Sequence, residues 1–162
     1  MNLSKLFDMQ KALDGYIERE RGLENADLFD QKVLALLVEV GELANETRCF
    51  KFWSQKGPSE REVILEEFVD GVHFILSLGL KLSFEPQVTL VETSSAQTQT
   101  EQFLHLYETI LQFKQDKSLK TYQKLLNDYF ALGRLLDFTA QEVEEAYVAK
   151  NEVNYQRQQQ GY

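Results

Sequence analysis

The chain is short of everything that interrupts or staples a fold. Among its 162 residues are two prolines and eight glycines, so few positions break a run of helix. The single cysteine, Cys49, excludes an internal disulfide framework, and with only two histidines no Cys/His spacing for structural zinc can be assembled. No apolar run approaches the ~18 residues a membrane helix needs, and the N-terminus reads as an amphipathic helix rather than a secretion signal. Positive charge is scarce as well. Against 26 Asp and Glu stand 17 Lys and Arg, a formal charge of −9 that argues against a nucleic-acid backbone as partner. Neither a Walker loop nor a Ser-His-Asp order occurs. These absences leave an expectation: a soluble, cytoplasmic, all-α chain, one domain over residues 1–162, built as a bundle of five or six helices, with no membrane and no nucleic acid as partner.

What is present is acid in unusual places. Leu34-Ala-Leu-Leu-Val-Glu39-Val-Gly-Glu42-Leu-Ala-Asn-Glu46 is an apolar helical run, and Leu65-Glu66-Glu67-Phe-Val-Asp70-Gly-Val-His73-Phe-Ile echoes it. Positions i and i+3 share a helix face, so Glu39 projects with Glu42 and Glu67 with Asp70. An isolated E-x-x-E on a helix is commonly a solvated surface. Two of them inside apolar runs are harder to explain that way, because a buried carboxylate must be paired, protonated or bound to metal. Two such helices side by side gather four carboxylates, and each like-charge contact at ~4 Å costs about 4 kcal/mol at an effective dielectric near 20. Neither run offers a Lys or Arg at helical spacing within its apolar face. A divalent cation neutralises the set economically, and oxygen-only ligands favour Mg²⁺, with Mn²⁺ the alternative, over zinc.

The rest of the chain is read around these two runs. Helical spacing predicts a first helix over residues 3 to 21, interrupted by Gln10 with Asp14 one turn later; by residue type alone both are ordinary exposed polar positions. A second helix, capped by Asp27 or Asp30, runs to about Thr47. The basic-aromatic loop after it holds Lys51, the sole tryptophan Trp53, and Gly57-Pro58; it reads either as a plug on the core or as a ligand wall. Ser59-x-x-Glu62 predicts a capping box that opens a third helix, apolar nearly all round, ending near Lys81. His73 stands one turn after Asp70, as a core histidine or a site residue. Residues 83–99 are expected to be loop. Helices over about 100–115 and 118–136 show no chemistry and read as core or subunit packing, leaving open a regulatory protein partner. Thr139-x-x-Glu142 is a second capping box, and it starts a sixth helix on which Lys150, Asn154 and Arg157 form one stripe, either a solvated face or a phosphate clamp.

Glu39-x-x-Glu42, 24 residues and then Glu67-x-x-Asp70 resembles the all-α NTP pyrophosphatases that include MazG and the dimeric dUTPases. Asp70-x-x-His73-Phe, Lys51-x-Trp53 and the terminal Lys150-Asn151-x-x-Asn154-x-x-Arg157 with Gly161-Tyr162 are similar to the dimeric dUTPase branch, almost end to end. The resemblance implies a homodimer and Mg²⁺-dependent hydrolysis of dUTP, and of dUDP, to dUMP. It implies metal ligation by Glu39, Glu42, Glu67 and Asp70; a water attacking the α-phosphorus then needs a base or orienting group beside the metal, for which Glu42 is expected, with Glu39 or Glu46 as rivals. Lys150 and Arg157 would contact phosphate, Asn154 sugar or phosphate, and Tyr162 would close over the nucleotide. Gln10, Lys51, Trp53 and His73 would surround base and sugar, Gln10 being a candidate for the uracil edge. A MazG-like or dCTP-type enzyme of another base preference, or a non-catalytic helical interaction protein, are the alternatives.

Overall fold

The computed structural model describes residues 1–96 and 98–161. Six helices follow one another: α1 (Leu3–Arg21), α2 (Phe29–Thr47), α3 (Arg61–Lys81), α4 (Gln99–Gln115), α5 (Leu119–Leu135) and α6 (Ala140–Gln159), with no strand among the described residues. The expected all-α bundle is therefore observed. Helix α3 is its axis. Its Phe, Val, Ile and Leu are buried on several sides, and it packs against α1, α2, α5 and α6.

Local signals set most boundaries. The Asn2 side chain accepts from Lys5 N to start α1, and Gly22, in the left-handed region at φ 65°, ends it. Neither Asp27 nor Asp30 is the N-cap of α2: Leu28 holds that place with no side-chain cap bond, and Asp27 Oδ1 accepts from Phe29 N just ahead of the first turn. The capping box at Thr139 and Glu142 forms as expected, and Thr98 with Glu101 forms another in a tract read only as loop. The predicted box at Ser59 does not form. Glu60 is the N-cap of α3 and makes no side-chain cap bond, while the Ser59 hydroxyl donates to the carboxylate of Glu46 at the end of α2. The helix begins one residue later than the motif requires, so Ser59 stands before the N-cap and its oxygen is out of register with the first-turn amides.

Helix α5 is fitted to α3 by two tyrosines. Tyr122 Oη donates to Ile75 O at 2.9 Å and Tyr129 Oη to Phe68 O at 2.7 Å. Each hydroxyl reaches the α3 backbone where a side chain is missing, at Gly79 and Gly71 respectively. The segment before α4 is strapped across α5: Gln123 bonds both backbone groups of Thr89, Asn127 accepts from Val91 N, and Arg134 donates to Thr93 O. No described helix is long and apolar enough to cross a membrane.

Candidate active site

The short connection from α2 to α3 turns the chain back, so that Glu46 lies by Ser59 and Glu39 lies by Asp70. The pairing sets the acid runs against each other. Carboxylate oxygens of Glu39, Glu67 and Asp70 fall within 4.8 Å of one another. Glu42, the fourth expected member, stands at the exposed border of this cluster, where its charge acts on Glu39 and Glu67.

The electrostatics follow from crowding. Burial first, and then the charges of Asp70, Glu42 and Glu67, push the Glu39 carboxyl up to about 7. Burial also raises Glu67 and Asp70 above the usual carboxylate range. The cation that the two acid runs lack comes from α6. Lys150 Nζ lies 2.9 Å from Asp70 Oδ2 and 2.6 Å from Glu66 Oε1, its side chain 9% exposed. Lys150 is thus neither on a solvated face nor turned outward as a ready phosphate clamp.

Glu39 and Asp70 line a cleft of about 390 Å³ between α1, α2, α3 and α6, within the size range of small-ligand sites. Its walls carry Gln10, Leu13, Asp14, Ile17, Leu28, Lys32, His73, Phe74, Ser77, Asn154 and Arg157. Along α3, Asp70, His73 and Ser77 succeed each other turn by turn, so an acidic end grades into an apolar and then a hydroxyl-lined end. His73 is buried, and desolvation lowers its pKa to about 4, leaving a neutral ring. Its Nδ1 is 2.8 Å from Val69 O and therefore carries the proton; Nε2 is then a buried acceptor with no partner among the described residues.

Gln10 is in the cleft but already engaged: Oε1 accepts from Tyr147 Oη at 2.7 Å and Nε2 donates to Asp14 Oδ1 at 2.8 Å. Lys51 and Trp53 are not among the cleft residues. Lys51 Nζ bonds Asn45, and Trp53 is 65% exposed beside a yet more exposed Phe52, so the loop does not plug the core. Tyr162 lies outside the described residues. Reading by residue type passed over Glu66, Lys32, Ser77 and Tyr147. Ser77, at i+7 from Asp70 on the same face, carried a periodic signal; Lys32, which pairs with Asp14 at 3.6 Å, and Glu66 are found only through contacts distant in sequence.

The dUTPase family model matches residues 2–162. The chain belongs to the dUTPase family. No curated protein matches it. As a dUTPase it is a dUTP diphosphatase, and its substrate is dUTP. The family calls for a divalent metal, and the three clustered carboxylates of this dUTPase fit one: hard oxygen donors, mutually destabilised, with Lys150 as the cation in direct contact.

Proposed function

We propose that this cleft hydrolyses dUTP, and dUDP, in a Mg²⁺-dependent reaction, with Mn²⁺ as a substitute, through Glu39, Glu42, Glu67 and Asp70. The observation that carries the reading is the convergence of Glu39, Glu67 and Asp70 oxygens within 4.8 Å beside a nucleoside-sized cleft. When bound, the ion supplies Lewis-acid stabilisation of phosphate charge and acidification of water. Glu42, bordering the cluster and open to solvent, accepts the proton of the attacking water; Glu46 is less suited because the Ser59 hydroxyl already occupies it. A bond forms from the water oxygen to the α-phosphorus, and the α–β bridging oxygen departs in line with pyrophosphate. Arg157 offsets the charge that develops on the leaving group. The sugar and base extend past His73 between Leu13, Ile17, Leu28 and Phe74, with Gln10 and Asn154 bordering them.

A homodimer belongs to the same proposal. Leu34 and Val38 on α2, and Leu104 and Leu111 on the neighbouring α4, are exposed apolar residues that a second copy can cover. The cytoplasm is the compartment where the substrate would be met. A dNTP panel with pyrophosphate detection, run with and without Mg²⁺, tests the activity. Turnover of dUTP that needs the metal and vanishes in folded Glu39→Ala and Asp70→Ala proteins supports the reading; metal-independent turnover, or retained turnover in either variant, overturns the ligand assignment.

A further inference from the structure

Lys150 has two claims on it. The proposed reaction wants its charge on the polyphosphate, yet its ammonium is in contact with Asp70 and Glu66, 2.9 and 2.6 Å away. We propose that Lys150 is a counter-ion gate: Glu66 holds it on Asp70 while the carboxylates are bare, and a divalent cation arriving at those carboxylates releases it toward the phosphates. This inference rests on the metal reading above and adds a role for Glu66, a positioning residue beside the cluster.

Three features support the gate. Asp70 is shared, being both a member of the three-carboxylate cluster and the acceptor of the lysine. A second cation at the same carboxylate repels the ammonium, so the two occupants compete. Glu66 is different: its side chain is 55% exposed and it is not one of the clustered three, so it can keep the ammonium near the site after Asp70 has let go. Finally, the lysine side chain is buried while Glu66, the partner of its ammonium, is half exposed, so the ion pair bridges the interior of the cluster and its solvent side.

Competition has a thermodynamic consequence. A cation entering alone must displace the lysine, so metal affinity is held down in the absence of nucleotide. A polyphosphate that takes the lysine raises metal affinity, and by reciprocity metal raises polyphosphate affinity by the same factor.

Amine acylation read by mass spectrometry tests this on the unaltered protein, with exposed Lys120 as internal reference. Labelling of Lys150 is expected to be low without metal, to rise about fivefold or more with Mg²⁺ alone, and to fall again when inorganic pyrophosphate is added. Calorimetry supplies the second arm: Lys150→Met should bind Mn²⁺ about tenfold or more tightly than the parent, with a lowered gain on adding pyrophosphate. Glu66→Gln should raise Lys150 labelling in the metal-free protein and shrink the further rise that Mg²⁺ produces; a rise on Mg²⁺ as large as the parent's would remove Glu66 from the gate. Labelling indifferent to saturating Mg²⁺, or a Lys150→Met protein that binds Mn²⁺ no better, overturns the gate and leaves the metal site standing. If the parent binds neither ion with or without pyrophosphate, the metal reading fails, and the gate with it. Should Lys150→Met not fold, the labelling arm decides.

Discussion

The imidazole of His73 lies against the phenol of Tyr147, ring centroids 4.2 Å apart and planes 20° from parallel. Gln10 accepts from the same tyrosine, so α1, α3 and α6 meet at this stack and the histidine is fixed in place. Its Nε2, buried and without a partner among the described residues, is an acceptor that a ligand can use.

That arrangement predicts the outcome of His73→Phe. The substituted ring keeps the stack, removes the acceptor and gives up the Nδ1–H bond to Val69 O, a loss offset by relief of the buried, unsatisfied Nε2. Melting should change by less than about 1 kcal/mol, while affinity for a non-hydrolysable dUTP analogue should fall by roughly 0.5–1.5 kcal/mol. Because the ring is held neutral down to about pH 4, the difference in analogue affinity between parent and variant should stay constant from pH 5.5 to 8, leaving any step near 7 to Glu39 in both proteins. Calorimetric titration of both proteins across pH checks the two statements, and an unchanged affinity in the variant would make His73 purely structural.

Glu39 gives the protein a pH dependence of the opposite kind from a salt-bridged acid. Its carboxyl is raised from 4.5 to about 7, so across that window the folded chain holds a proton that the unfolded chain has released. Stability therefore falls as pH rises through the window, by about 1–2 kcal/mol once partial solvent screening of the site is allowed for. A divalent ion abolishes the penalty. The increase in melting temperature on adding Mg²⁺ should accordingly be larger at pH 8 than at pH 5.5; an equal or inverted increase would place the metal elsewhere.

Close packing makes a third prediction. A Cβ built on Gly71 would lie 1.9 Å from Tyr129 Oη, and this hydroxyl cannot retreat without abandoning Phe68 O. Gly71→Ala should cost about 1–3 kcal/mol, more than its gain in helix propensity returns. The double variant Gly71→Ala with Tyr129→Phe should recover part of the loss, since the clashing oxygen is gone. Urea unfolding of the two proteins measures both terms.

How far the site could be read from residues follows from the range of the interactions. Glu39, Glu67 and Asp70 were legible because helical period fixes which side chains share a face, and acid on an apolar face has few explanations. Period does not fix how far a side chain stands from the neighbouring helix, which is why Glu42 borders the cluster that it was expected to join. Lys150 was legible as a cation on a stripe, but its engagement with Asp70, 80 positions away in sequence, depends on how α6 crosses α3. The Ser59 cap was misread for a different cause: the motif was intact, but α3 starts after Glu60, and the Ser59 hydroxyl is used to tie the loop to Glu46 at the end of α2. Lys51 and Trp53, in a loop, had no periodicity to place them.

The exposed apolar stripe gives the last test. Lys114 pairs with Asp30, and Tyr107 Oη donates to Leu37 O, so α4 runs antiparallel along α2 with Leu111 near the level of Leu34 and Leu104 beyond Val38. All four side chains face outward on adjacent helices and none belongs to the core. Burying a leucine of this kind contributes about 1.5–3 kcal/mol, and in a two-fold pair each contact is made twice. Leu34→Asp with Leu104→Asp replaces that gain with four desolvated charges across the symmetric interface, while leaving the interior untouched. The parent should therefore sediment at twice the chain mass and the double variant at the chain mass with its helical content intact. A monomeric parent, or a variant that still pairs, would move the interface off this face.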